Sequence, residues 1–254
     1  MKSAAIDIGN SRVKILSEEH GFAVFPIGEL GESWFGELCS YIESHTPPYA
    51  WAISSVNSDV EMEVIDFLIE HSSTLTPAEF IISHQTLIDT SHVEGVGSDR
   101  IFGLIGALQY AVPPFITVDC GTAITINYLD DNRVFRGGAI LAGLSTQLRA
   151  LEHFTSQLPL LVPQYDDAPF GTTTSQAMNL GTLWGTTGAI KEIIARIVSS
   201  AEMQSIPVIL TGGDYQLMAS TVSEMEVIIS PNLVVEGILA AQSHILLTQK
   251  PVLE

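Results

Sequence analysis

Positive charge is what this chain has least of. It carries 10 lysines and arginines against 29 aspartates and glutamates, a formal net charge of −19 over 254 residues. Such a surface repels nucleic-acid backbones and anionic lipid headgroups, which excludes a DNA- or RNA-binding module and a peripheral membrane protein. It also opposes phosphorylated ligands at long range. Screening over about 8 Å at physiological salt nevertheless leaves a local cluster of lysine and arginine able to act. Solubility alone is an equally good account of the acidity.

Cysteine is almost as scarce. Cys39 and Cys120 lie far apart, and no basic stretch followed by an apolar segment precedes the first strand pattern. The expectation is therefore a cytoplasmic protein with reduced thiols. The one long uncharged run, Ile101–Val118, is split by Pro113-Pro114 into a helix-sized and a strand-sized piece, so no membrane span is expected. His84 and His92 lack zinc-ligand spacing with any partner.

Alternating and continuous apolar runs are plentiful. Lys2–Ile8, Arg12–Leu16, Phe22–Ile27, Tyr49–Val56 and Glu79–Ser83 read as strands, and Glu32–Ser44 and the stretch from Asn57 or Ser58 to His71 as helices. Gln85–Val96 reads as a loop, followed by a helix capped by Ser98 with Ile101, Leu104, Ile105 and Leu108 on one face. Further on come strands at Ile116–Cys120, Arg133–Ile140 and Pro207–Leu210, and helices over Leu144–Phe154, from Thr172–Thr174 to Ser200 with a break near Gly181–Gly188, and over Asn232–Leu247. Ser156–Gly171, rich in proline and acid, is a candidate exposed loop or flap. Strands alternating with helices at this spacing indicate an α/β fold.

Two hairpins share a grammar. In Asp7-x-Gly9 and in Asp119-x-Gly121, an apolar strand meets an aspartate, a glycine turn, a small polar residue and a second strand. Glycine there lets backbone N–H groups approach a ligand, which suits phosphate. Two related halves facing one cleft follow as the expectation, divided as 1–113 and 114–254. Each aspartate also has an ordinary reading as a turn residue bonding its own backbone. Asp99 at a helix start has one as a capping acid beside Arg100, Lys14 as a solvated strand residue, and Thr174 as a supplier of a cap.

The fragments Asp7-x-Gly-Asn-Ser-x-x-Lys14, Gly97-x-Asp-Arg100, Asp119-x-Gly-Thr-Ala-x-Thr125 and Gly137-Gly-x-Ile-x-x-Gly143 occur in that order and span most of the chain. Together they resemble the type III pantothenate kinases, members of the acetate and sugar kinase, heat-shock ATPase and actin superfamily. The resemblance implies two duplicated ribonuclease-H-like halves around a central nucleotide cleft, a homodimer with each substrate site completed near the subunit interface, and ATP-dependent phosphorylation of pantothenate. It also implies ATP with Mg2+ and a monovalent cation, K+ or NH4+. Carried over residue by residue, Asp7, Ile8, Gly9, Asn10, Ser11, Arg12, Val13 and Lys14 form the phosphate loop, with Thr122 a further nucleotide contact and Asp119 the monovalent-cation ligand. Gly97, Ser98, Asp99 and Arg100 hold pantothenate, with Asp99 the proton acceptor, and Thr174 is a later substrate contact. The chain departs from the family pattern at Thr90, where a tyrosine is usual, at Ala142, where a proline is usual, and at Asn127, where an aspartate is common. The departures at Thr90 and Ala142 motivate the alternative of a nucleotide-binding regulatory accessory factor, and a phosphatase or another small-alcohol kinase of the superfamily is a third reading.

Overall fold

The computed structural model describes residues 2–28, 33–45, 49–71, 74–222 and 225–248. The chain divides into unit 1, residues 1–109 with 232–254, and unit 2, residues 110–231. In unit 1, the apolar run Lys2–Ile8 forms β1, which turns at Gly9 into β2 (Arg12–Ser17) and then β3 (Gly21–Pro26), an antiparallel meander. Helix α1 (Ser33–Glu43) leads to β4 (Tyr49–Ser55), parallel to β1, and α2 (Ser58–Glu70) leads to β5 (Thr74–Pro77), parallel to β4. The sheet order is β3-β2-β1-β4-β5. Asn57 caps α2 by accepting from the Val60 N–H, as its position predicts. Gly31, Glu32, Pro47 and Pro48, which bound the expected first helix, lie outside the described residues.

Residue size distinguishes the faces of this sheet. Ala4, Ile6, Ile8, Val13, Ile15, Trp51 and Ile53 pack with Leu38, Val60, Val64 and Leu68 in one buried cluster. Each fully buried aliphatic side chain there contributes roughly 1.5–3 kcal/mol. Strand alternation sends Ser3, Ala5 and Asp7 of β1, with Ala50, Ala52 and Ser54 of β4, to the other face. Small side chains there admit helices closely. Helices α4 (Ser98–Ala107) and α8 (Leu233–Thr248) form this layer, α8 against β1 and β4 and α4 against α8. Their crossing is tight because both contact residues are glycines: a Cβ on Gly106 would overlap the Leu233 carbonyl, and one on Gly237 the Phe102 carbonyl.

Unit 2 repeats the plan. β6 (Phe115–Cys120), β7 (Ala123–Leu129) and β8 (Phe135–Ala142) form an antiparallel meander. After α5 (Leu144–Phe154) and α6 (Thr174–Ser200), β9 (Val208–Thr211) returns parallel to β6, and α7 (Tyr215–Thr221) leads to β10 (Val227–Ile229), parallel to β9. The order β10-β9-β6-β7-β8 is that of unit 1 with each strand replaced by its counterpart. The fold is α/β with two ribonuclease-H-like halves.

Several sequence expectations need correction. Glu79–Ser83 is not a strand: the strand is Thr74–Pro77, and Ala78–His84 is a helix, α3, on which Phe80 and His84 stack one turn apart. Five residues of mixed apolar character hold no period that separates the two states. α8, expected in the second half, packs on α4 and β1 and so belongs to unit 1. Helix α6 runs unbroken over 27 residues, with Met178, Leu180, Leu183, Ile190 and Ile194 buried, and that packing outweighs its glycines. β8 starts at Phe135 rather than Arg133. Arg133 sits at φ 60, in a turn whose Asn132 and Val134 N–H groups both donate to Asp130.

Candidate active site

At the carboxyl end of β1 the chain makes its first glycine turn. The Gly9 N–H donates to the Arg12 carbonyl at 2.9 Å, and the Ser11 carbonyl accepts from the Ile27 N–H at 2.9 Å, which ties the turn to the end of β3. Asn10, Ser11 and Arg12 are exposed, whereas Ile8 and Val13 are wholly buried in the core. Of the expected phosphate-loop residues, these two therefore offer a ligand only main-chain groups. Asp7, 7% exposed, stands opposite Lys14 in the β1–β2 register, with Lys14 Nζ 4.0 Å from its Oδ2.

Asp99 arrives at the same end of this sheet from α4. Gly97 is the N-cap of that helix and supplies no side-chain bond. Ser98, expected to be the cap, is instead the first helical residue, and its hydroxyl lies 2.8 Å from that of Ser54 at the end of β4. Asp99 Oδ1 accepts the Arg100 N–H at 2.9 Å, and a Cβ on residue 97 would stand 2.5 Å from that oxygen, so any side chain there would displace the carboxylate. Burial raises the Asp99 carboxyl above the usual carboxylate range, opposed by the Arg100 amide bond and by the charges of Arg100 and Lys14. Burial likewise lowers Arg100, with the Asp99 charge resisting. The structure thus gathers Asp7, Lys14, Ser98, Asp99 and Arg100 within unit 1.

Unit 2 presents the second turn. Gly121 N–H donates to the Ala123 carbonyl at 3.1 Å, leaving Thr122 exposed. The Thr122 carbonyl accepts from Gly143 N–H at 3.0 Å and from Thr146 Oγ1 at 2.6 Å, so the start of α5 braces the hairpin. From the other side, Asp214 N–H donates to the Cys120 carbonyl at 2.9 Å. Gly212, at φ +96, lies so close to the Asp119 carboxylate and the Cys120 backbone that any Cβ would collide with both. Burial first, then the Asp119 and Asp214 charges, pushes the Cys120 thiol well above its usual range, so it is no nucleophile.

Thr174 is the exposed first residue of α6, and the cap is made by Thr173, whose hydroxyl accepts from Gln176 N–H at 3.2 Å. The loop before it is strapped to α6. Gln176 Nε2 donates to Asp166 Oδ2 at 2.9 Å, and Trp184 Nε1 donates to the Asp166 carbonyl at 3.0 Å. Asn127 is buried and donates to Thr117 Oγ1 at 3.2 Å, so the position is filled by a neutral amide bonded to a hydroxyl. A cavity of about 770 Å³ in unit 2, lined by Tyr128, Asp130, Arg136 and the end of α6, opens at the opposite end of the strands from Asp119 and takes no part in this site. Sequence reasoning missed Ser54 and Thr146. The only signal for Ser54 was the Ser54-Ser55 pair closing an apolar strand.

Known proteins resemble this chain over most of its length. The family profile of type III pantothenate kinase matches residues 4–196. A type III pantothenate kinase from Rhodopirellula baltica is 30% identical over 216 residues, covering 81% of this chain and 77% of that protein. One from Akkermansia muciniphila is 34% identical over 151 residues, covering 59% of this chain and 62% of its own length. The matched stretch thus spans about three-fifths of that relative. Among solved structures, a Baf family protein from Campylobacter jejuni, named for transcriptional activation, superposes with a TM-score of 0.64 at 20% identity, covering 96% of this chain and 98% of that one. An archaeal actin homolog superposes with a TM-score of 0.52 at 10% identity, covering 96% and 99%. At such identities these structures show the fold alone.

Proposed function

The chain belongs to the type III pantothenate kinase family, and on that premise we propose that it transfers the γ-phosphoryl group of ATP to the primary hydroxyl of pantothenate, the first step of coenzyme A synthesis. The observation that carries this reading is Asp99: a carboxylate at a helix start, its pKa raised by burial, set beside Lys14 and Arg100. A base of that kind suits an alcohol acceptor, since a raised pKa makes the carboxylate a stronger proton acceptor.

Phosphoryl transfer asks a protein chiefly for positioning and charge neutralisation. The Gly9–Arg12 turn would hold phosphate oxygens, Lys14 would offset their charge, and Asp7 would hold the hydrated Mg2+. Bound Mg2+ supplies charge neutralisation on the β- and γ-phosphates. Thr122, exposed at the second turn, makes a further nucleotide contact. Asp119 fits a monovalent cation, K+ or NH4+, because its carboxylate is bordered by a glycine cradle that any side chain at 212 would fill. Gly97 and Ser98 line the pantothenate site, Arg100 holds a polar or carboxylate end of the substrate, and Thr174 contacts it from α6. Asp99 takes the hydroxyl proton as oxygen attacks phosphorus.

A homodimer is part of the proposal. Its support is a set of exposed apolar side chains in unit 2, Phe154, Leu160, Val162, Phe170 and Trp184, at 82, 64, 74, 72 and 39% exposure. A cytoplasmic setting is proposed as well. Among the described residues no helix is long and apolar enough to cross a membrane. The test is a coupled assay with purified protein, Mg-ATP and pantothenate, with and without potassium. ATP binding with no turnover on pantothenate or a panel of related alcohols sinks the kinase reading and favours the accessory factor.

A further inference from the structure

The polar row on the small-residue face of unit 1 extends one strand beyond the charged pair. Lys14 of β2 pairs with Asp7 of β1, and Asp7 pairs with Ser54 of β4 in parallel register, so the three side chains share a face. Ser54 is 1% exposed, and its hydroxyl meets that of Ser98 at 2.8 Å. A serine in the first turn of a helix ordinarily turns its hydroxyl back on that helix. Here α4 has no side-chain cap, and the Ser98 hydroxyl reaches the sheet. Gly106 and Gly237 fix the far end of α4 against α8, which leaves the Ser54–Ser98 bond as a tether at the near end, one residue from Asp99.

We propose that Ser54 is a positioning residue for the phosphoryl transfer: its buried hydroxyl holds the first turn of α4, and so the Asp99 carboxylate, in register with the Asp7–Lys14 pair. The inference rests on the reading of Asp99 as the base. Ser54 touches neither substrate nor the reacting atoms, and it acts through Ser98. Removing the tether lets the first turn of α4 shift, and a displacement of about 1 Å at a reacting group costs about 10²-fold in rate.

The test compares the wild-type chain with Ser54→Ala, Ser54→Cys, Ser98→Ala and the Ser54→Ala/Ser98→Ala double variant. Each is assayed at saturating Mg-ATP and pantothenate, with thermal unfolding recorded alongside. Cysteine keeps nearly the volume of serine but is a weak donor, so it separates the hydrogen bond from the packing. Expected are a kcat lower by about 10- to 100-fold in both Ser54 variants, a KM for ATP within about twofold of wild type, and a double variant no slower than the slower single one. Full kcat in Ser54→Cys, multiplied losses in the double variant, or a kcat for Ser54→Ala within about twofold of wild type overturns the proposal. Should Ser54→Ala fail to fold, Ser54→Cys, which nearly keeps the packing, decides by the same kcat criterion. An inactive wild type sinks the kinase reading itself, whereas an active wild type with unaffected variants sinks this inference alone.

Discussion

The two units share one strand plan, yet their glycine turns are charged differently. In unit 1, Asp7 lies across the sheet from Lys14; in unit 2, the corresponding aspartate, Asp119, lies across from Thr125. A turn that carries its own countercharge can receive the oxygens of an anion without leaving a cation buried alone. An aspartate with a neutral threonine in place of the lysine as its cross-strand neighbour, and with glycine at 212 close against its carboxylate, suits the proposed cation. On the proposed assignment, one strand plan used twice would serve opposite ligand charges through a single cross-strand position.

The largest effect should come from Asp99, the buried acid at the start of α4 in unit 1. Asp99→Asn is expected to lower kcat by about 10²- to 10⁴-fold. In the wild type, kcat/KM should fall as pH drops through a pKa above the usual carboxylate range, because only the ionised carboxylate accepts the proton. The sign for stability is opposite. A folded pKa above the unfolded one means that stability is lost as pH rises through that window, so Asp99→Asn should not lower Tm at neutral pH. A lower Tm together with normal turnover would remove the assigned base.

Next in size is Gly212→Ala, which meets both the left-handed backbone and the Asp119 carboxylate. A loss of about 2–4 kcal/mol in unfolding free energy is expected, read by urea titration. Gly181→Ala, on the open face of α6, serves as the control with no such loss. Exchanging the cross-strand partners tests the comparison directly. Lys14→Thr should raise KM for ATP about tenfold, equivalent to roughly 1.4 kcal/mol. Thr125→Lys should make activity independent of added potassium by supplying the positive charge beside Asp119. Continued potassium dependence in that variant would break the assignment of the second turn.

The smallest effect separates the units by pH. His45 is buried in unit 1 among Tyr41, Tyr49, Trp51 and His20, with Nδ1 bonded to the Tyr41 carbonyl and Nε2 to Ser17 Oγ. Burial is the main cause that lowers its pKa. A depressed folded pKa gives stability present above the unfolded value of about 6.5 and lost as pH falls below it. Hydrogen exchange should therefore show unit 1 loosening as pH falls below about 6.5 before unit 2 does, and His45→Gln should flatten that dependence.

Much of the candidate site was legible because its residues are local in sequence. The turns at Gly9 and Gly121 announce themselves by a strand running into Asp-x-Gly, and Gly97-x-Asp-Arg100 by a glycine before an apolar-periodic helix. Ser54 escaped because its meaning depends on Ser98, 44 residues away. The strand expected at Glu79–Ser83 failed because the sheet had already taken Thr74–Pro77 as its edge. α8 was placed in the wrong half because amphipathic spacing says that a helix buries a face, not which sheet it buries that face against.

By itself, the sequence determined the alternation of strands and helices, the position of both acidic turns, and the residue types available to hold phosphate and a proton. These follow from backbone sterics and short-range periodicity. Only tertiary structure decided that α8 returns to the first sheet, that Asp7 faces a cation while Asp119 faces a threonine, and that Asp99 is buried enough to hold its proton above the ordinary range. Each of these depends on solvent exclusion and register between segments tens of residues apart, and no local pattern encodes the medium around a charge.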